Sequence, residues 1–408
     1  MKRKIFKNAL FLSGSQILGR IIGFFYFIFL ARALGVEVFG IYAWVLGFVY
    51  NFYPLADFGL EKIVMRDLPR QPEKANYYLK RLLPLRVWLA FFTLILLLLA
   101  GLIMGLGLQK LFFVFLFGLT ILPSNLIYLI AFIENSREKA EIYAFVNLAI
   151  SLGAVILGWF IINFGLPISF LFLTFFISCL LTLLILLKSG RKLNLEFDLI
   201  VDLPFWKRIL TQSWVFAVII TLAVFYLRIS LVLVGRILGD YSAGIYAAAS
   251  KFVEAGVMIP QGLTLALFPL SSRLLIENKK KLKKIYFLVF LCLLFVSLPV
   301  AAIMHWGGKY IIPLVYGAEY LPSVPVFSLM GLLVIFLFVN SIAGNVIHNS
   351  NKVKQFIPFA FLNFLVALIL GLVLIPRFGV IGGVWAMIGG EIFGLIINNF
   401  FVFKILRE

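Results

Sequence analysis

Five charged side chains lie inside apolar stretches long enough to cross a bilayer: Arg20, Arg228, Lys251, Glu254 and Glu391, with Asp57 closer to the end of one. A charge near the middle of a span costs about 2.5–3.5 kcal/mol on insertion scales, so each asks for a partner or a wet cavity. These residues are not scattered around their helices. Ser13, Gln16, Arg20 and Gly23 recur every three or four positions and share one stripe of the first stretch. Ser250, Lys251, Glu254, Met258 and Gln261 do much the same in the eighth, Thr221 and Arg228 lie two turns apart in the seventh, and the second adds Tyr50, Pro54 and Asp57. The chemistry on offer is noncovalent. Arg20, Arg228 and Lys251, with Gln16 and Asn51 as hydrogen-bonding neighbours, form a cationic lining for a substrate-binding cavity that prefers an anion. Glu254, Asp57 and Glu391 are the acids available for coupling to an ion gradient or for releasing a bound substrate.

Blander readings stand beside these. Lys251 and Glu254 are one turn apart and can neutralise each other. Arg20 can serve as glue to backbone carbonyls or a neighbouring helix. Arg32 and Arg236, each two residues before Leu-Gly at an outer helix end, either snorkel to the interface or fix the turn, and the alternative is an outer gate. Glu391, with Gly394 and Asn398 on its face, suits a proton site or a buried hydrogen-bonded acid equally. Gly382-Gly383 and Gly389-Gly390 suit close helix packing.

The elements that must position these groups follow from composition. Of the 408 residues, 63% are hydrophobic and 13% charged, against roughly 45–50% and about 25% in soluble domains. The apolar residues fall in runs close to the roughly 20 residues that cross a hydrocarbon core. Apolar runs and charged breaks predict an all-α polytopic membrane protein of twelve helices, near residues 8–31, 38–59, 84–107, 111–133, 142–163, 167–188, 209–234, 244–270, 284–304, 324–347, 356–375 and 380–403. The first is too long for a signal-peptide core and contains Arg20, so it is expected to stay as a helix.

Charge sets the expected orientation. Lys2, Arg3, Lys4, Lys7, Arg86, Arg191, Lys192, Arg208 and their like put 28 basic residues in one set of alternate loops. The other set holds only Arg32, Lys110, Arg236, Lys309 and Arg377. The positive-inside rule then places both termini in the cytoplasm. The same rule explains the formal charge of +19 without nucleic acid.

Comparing the chain with itself at an offset of 204 residues reveals a repeat. Arg32-Ala33-Leu34-Gly35, then Gly40-Ile41-Tyr42-Ala43, returns as Arg236-Ile237-Leu238-Gly239, then Gly244-Ile245-Tyr246-Ala247. Each copy joins the first two helices of a six-helix half. The expected domains are a lobe at 1–188, a cytoplasmic linker at 189–208 and a lobe at 209–408, related by an axis along the membrane normal. The third and ninth helices are almost purely apolar and suit lipid-facing staves.

Catalytic chemistry finds no support. Gly307-Gly308-Lys309 lacks the earlier glycine and the hydroxyl residue of a phosphate-binding loop. His305 and His348 fall on opposite sides of the membrane in this topology, which suggests neither a metal site nor a dyad. Cys179 and Cys292 lie inside apolar runs and read as small buried hydrophobes. The expectation is a non-enzyme without cofactor or metal.

The chain resembles the polysaccharide transporter family, the Wzx-type flippases of the superfamily that also holds multidrug and toxic compound extruders. The resemblance rests on Leu30-Ala31-Arg32-Ala33-Leu34-Gly35 with Gly40-Ile41-Tyr42, on Ala56-Asp57-Phe58-Gly59-Leu60 followed by Arg66, and on Ile375-Pro376-Arg377-Phe378-Gly379 running into Gly382-Gly383. It implies a two-lobed, twelve-helix fold in the cytoplasmic (inner) membrane. It also implies a flippase for polyprenyl-pyrophosphate-linked oligosaccharide in surface polysaccharide (O-antigen) biosynthesis, with membrane lipids, a polysaccharide polymerase and chain-length regulators as partners. Competing readings are a secondary-active multidrug exporter, a lipid II flippase and a non-transporting membrane scaffold for polysaccharide assembly.

Overall fold

The computed structural model describes residues 2–350 and 352–407; Met1, Asn351 and Glu408 lie outside the described residues, as do the side chains of Lys2, Arg3, Lys4, Lys7, Arg191 and Lys192. The chain is all helix, with no strand among the described residues. Its elements are α1 (Lys2–Tyr50), α2 (Tyr53–Asp57), α3 (Leu60–Asp67), α4 (Ala75–Ile103), α5 (Leu108–Gly118), α6 (Ile121–Ser136), α7 (Ala140–Asn163), α8 (Ser169–Lys188) and α9 (Gly190–Leu193). They continue with α10 (Leu203–Leu238), α11 (Asp240–Gly256), α12 (Met258–Glu277), α13 (Lys279–Tyr316), α14 (Val324–Asn349), α15 (Val353–Phe378) and α16 (Val380–Arg407).

Among the described residues, eleven continuous apolar stretches are long enough to cross a membrane. The first breaks at Gly35, whose φ of 72° and ψ of 169° turn the chain between two helical arms. Twelve spanning segments result, as expected, and the chain is a multi-pass membrane protein. Several helices outrun their expected bounds, among them α10 at Leu203–Leu238 and α13, which runs to Tyr316. α4 begins at Ala75, where Lys80 and Arg81, which look like loop bases, continue the helix and are answered by Glu196, Asp198 and Asp202. Arg86, counted with the loop bases, is 1% exposed inside α4. Cys292, expected to be buried, is exposed on α13, and Cys179 is buried.

Contacts divide the chain into two compact units. The first comprises residues 1–27 and 45–221, the second residues 28–44 and 222–408. In the first, Leu60, Ile63, Val64, Leu79, Leu82, Ile127, Ile130, Val146 and Ile209 form a continuous core. The segment after α9 is tied to the same unit. Asn76 donates to the Asn194 carbonyl (3.1 Å) and the Ile200 amide to the Lys80 carbonyl (3.0 Å). Lys80 pairs with Glu196 and with Asp198 (2.7 Å), and Arg81 with Asp202 (2.8 Å).

The second unit is organised by the repeat. Gly35 and Gly239 adopt nearly the same left-handed conformation, with φ of 72° and 89°. The glycines five residues later cross. A Cβ on Gly40 would sit 1.8 Å from the carbonyl oxygen of Asp240, and one on Gly244 would sit 2.1 Å from that of Val36. The offset of 204 relates the two contacts to each other. Trp44 then donates its indole N–H to the Val232 carbonyl (2.9 Å), and Tyr320 donates to the Ala31 carbonyl (2.9 Å). Arg32 donates Nε to the Val315 carbonyl (2.7 Å) and an Nη to that of Leu314, closing the carbonyl end of α13. Positive charge there complements the helix dipole. Farther along, α13 packs on α14, and α16 on both α14 and α15.

Two outcomes follow from these contacts. Gly40→Ala or Gly244→Ala forces apart helices that touch through backbone, and lowers stability by about 1–3 kcal/mol or more. Gly256→Ala, where nothing lies within 4 Å, leaves the melting temperature in detergent unchanged or raises it; equal melting of all three would show that the crossing tolerates a methyl group. Acid should loosen the strap after α9. Asp202 is held below the usual carboxylate range by the Arg81 guanidinium and the Phe205 amide. A depressed folded pKa stabilises above the unfolded value and is lost as pH falls through the folded one. Hydrogen exchange over residues 194–206 is therefore expected to accelerate only below about pH 4, and Asp202→Asn to show the loosened state at neutral pH.

Candidate functional site

The polar stripe of α1 meets a second polar stripe that the sequence reading passed over. Tyr143, Asn147 and Ser151 recur every four residues on α7, which puts them on one face. With Ser15, Gln16, Gly19 and Arg20 they line a cavity of about 360 Å3 in the first unit. Gln16 Nε2 lies 3.4 Å from the Tyr143 hydroxyl. Tyr128 donates to Asn147 Oδ1 (3.1 Å), and Ser151 to the Asn147 carbonyl (2.8 Å). Asn147 Nδ2 is buried with no hydrogen-bond partner. A guanidinium, two amides and several hydroxyls thus surround one space, with no carboxylate in its lining. Such a set suits a ligand carrying negative charge and hydroxyl groups. Asn51, expected beside Gln16 and Arg20, is instead 2% exposed and does not line this cavity.

In the second unit the remaining bases share an acid. Lys251 Nζ lies 2.8 Å from Glu254 Oε2, and an Arg228 Nη lies 3.9 Å from Glu254 Oε1. The pairing of Lys251 with Glu254 is the blander of the two readings above. Arg228 joins it, and the three carry one net positive charge. All three side chains keep part of their surface accessible, so solvent weakens each contact and leaves the bases able to exchange Glu254 for another anion.

Two of the expected coupling acids are engaged locally. Asp57 pairs with the buried Arg86, whose Nη1 donates to Asn125 Oδ1 (2.5 Å) and to the Asn125 carbonyl (3.0 Å). Asn125 in turn donates to the Ala56 and Arg86 carbonyls (2.9 and 3.2 Å). The network ties α2, α4 and α6 together. Glu391 is 5% exposed and accepts a hydrogen bond from Asn340 Nδ2 (2.6 Å). It makes no ion pair among the described residues. Of the outer arginines, Arg32 closes α13 as described, and Arg236 is exposed.

Comparison with known proteins decides the family. Residues 5–275 match the family model described as polysaccharide biosynthesis protein. The chain belongs to that family. Residues 215–374 match the MatE model as well. An uncharacterized membrane protein of Methanocaldococcus jannaschii is 29% identical over 143 residues, which is 35% of this chain and 28% of that protein. Among solved structures, the lipid II flippase MurJ in an inward closed conformation is similar with a TM-score of 0.74 at 18% identity, over 98% of this chain and 89% of that one. An inward-facing multidrug resistance MATE family transporter of the MOP superfamily gives 0.72 at 14% identity, over 98% of both chains. The chain therefore has the fold of these structures.

The Asp57–Arg86 pair gives a direct check on the site's scaffold. Arg86→Leu leaves a carboxylate without its buried partner and costs about 3–5 kcal/mol, read as a fall in melting temperature in detergent. Adding Asp57→Asn should restore part of it. Wild-type melting of the single variant would show that the pair holds nothing together.

Proposed function

We propose that the chain is a flippase that carries a polyprenyl-pyrophosphate-linked oligosaccharide across the cytoplasmic membrane for surface polysaccharide assembly. The observation that carries this reading is the α1–α7 cavity, lined by Arg20 and hydroxyl and amide groups without a carboxylate. The net positive charge of Arg228, Lys251 and Glu254 supports it, as does membership of the polysaccharide biosynthesis family.

The halves expected at residues 1–188 and 209–408 give the bound substrate access to each side of the membrane in turn. Arg20, Arg228 and Lys251 hold the pyrophosphate: arginine forks match phosphate oxygens with two hydrogen bonds, and lysine acts as a point charge. Gln16, with Tyr143, Asn147 and Ser151, addresses the sugar hydroxyls, and the lipid tail stays in the bilayer. Glu254 returns to Lys251 and Arg228 when the pyrophosphate leaves, which gives it a part in release. Glu391 serves ion coupling, while Asp57 acts through Arg86 in fixing α2. Both termini face the cytoplasm, and the polymerase and chain-length regulators receive the product on the far side.

A multidrug exporter is the second reading, favoured by the MatE match over residues 215–374. A cationic drug needs an acidic lining, which the α1–α7 cavity lacks. The test is export in proteoliposomes, scored by accessibility of a labelled pyrophosphate-linked oligosaccharide to an external glycosidase. Arg20→Ala and Arg228→Ala should each lower the rate at least tenfold, with Arg20→Lys in between. Unchanged rates in well-inserted variants remove these residues from the site; export of a cationic dye with no response to the lipid-linked sugar favours the exporter.

A further inference from the structure

A second cavity of the first unit, about 500 Å3 in volume, shares no lining residue with the one around Arg20. Its volume suits a small-molecule headgroup. It is built where three elements converge: α3 with the turns after it, the start of α4 and the start of α10. Ile63 and Ile209, 1% and 3% exposed, are its buried apolar base. Tyr77, Tyr78 and Phe205 make an aromatic wall, with each tyrosine ring meeting Phe205 edge-to-face at 5.7 Å. Gln71, Gln212 and the tyrosines add amide and hydroxyl groups.

The charges in this lining are unequal. Arg66 is answered by Asp67, with Nε to Oδ1 at 2.6 Å and Nη2 to Oδ2 at 3.1 Å, and it also donates to Gln212 Oε1 at 3.2 Å. Lys74 and Arg208 are exposed and have no acid partner among the described residues. The Arg208 guanidinium rests 5.5 Å from the centre of the Phe205 ring, a contact that orients it without neutralising it. The three bases Arg66, Lys74 and Arg208 against the one acid Asp67 leave this lining with two net positive charges, and Asp202, outside the lining, reaches Arg208 only through its longer-range field.

Position selects the ligand. The flanking apolar stretches end at Asp57 and resume at Pro72 and Leu203, so the cavity lies at the boundary between hydrocarbon and water, at headgroup depth. We propose that it is a binding site for the phosphate headgroup of an anionic membrane lipid. Lys74 and Arg208 take the phosphate, the glutamines and tyrosines take the neighbouring hydroxyls, and the aromatic wall covers the apolar part of the headgroup. Basic pockets among span ends hold acidic headgroups on the same grounds. The site involves none of the residues proposed to hold the transported substrate, so variants that abolish export do not test it.

The test uses the full chain in nanodiscs of neutral phosphatidylcholine, with and without phosphatidylglycerol, reading lipid retained in native mass spectra. Inorganic pyrophosphate titrated against the neutral discs forms the second arm. Wild type should retain phosphatidylglycerol, and Lys74→Gln with Arg208→Gln should weaken retention about fivefold per charge removed. Lys74→Arg with Arg208→Lys keeps the charge and should keep the binding, which separates charge from folding. Retention that the glutamine double variant loses, without a pyrophosphate response that it loses, assigns the site to a lipid; a pyrophosphate response that the double variant loses, without such a loss of retention, assigns the same anion site to a soluble phosphate. Equal behaviour of wild type and the glutamine double variant in both arms overturns the site, as does no binding in either arm by wild type.

Discussion

Backbone meets backbone at Gly40 and Gly244, and the second unit depends on that crossing. Neither position has room for a methyl group, because the opposing carbonyl oxygens of Asp240 and Val36 occupy the space. Inside a bilayer, helices gain little from hiding apolar surface, since lipid tails are as apolar as leucine. Close approach, with its dispersion contacts, must do that work instead, and only glycine permits it. The crossing is reciprocal because the two segments are copies 204 residues apart. It also explains why residues 28–44 belong with residues 222–408 and not with their sequence neighbours.

Around this frame, intramembrane polar groups sort by how completely they are answered. Arg86, Asp57 and Asn125 bond to one another in the packing of α2, α4 and α6, which offsets most of their cost in hydrocarbon and leaves Arg86 Nε buried without a hydrogen-bond partner among the described residues. The Arg228, Lys251 and Glu254 set is looser, with 3.9 Å between Arg228 and Glu254 and all three side chains partly accessible. Asn147 Nδ2, at the cavity of Arg20, is buried without a partner. A buried donor left unmet costs about 1–3 kcal/mol.

Positive charge carries the functional reading at two depths. In the spans, bases exceed acids around the proposed substrate positions. At the span ends, Lys74 and Arg208 stand at a separate aromatic-walled cavity. The two proposals rest on one chemistry, recognition of phosphate by lysine and arginine.

The sequence by itself determined the membrane, the twelve spans and the repeat, because these depend on local hydrophobicity and spacing that neighbours along the chain already set. It also singled out Gln16 and Arg20 by their stripe, and the Lys251–Glu254 pair by its one-turn separation. The tertiary structure alone decided which faces meet. Arg86 reads as a loop base until α4 is placed against α2 and α6, and the α7 stripe of Tyr143, Asn147 and Ser151 means little until it lies opposite Arg20. Asn51 has the right chemistry and the wrong surroundings. The physical reason is common to all three: a side chain's partners come from helices distant in sequence, and periodicity reports which face a residue occupies but not what that face touches.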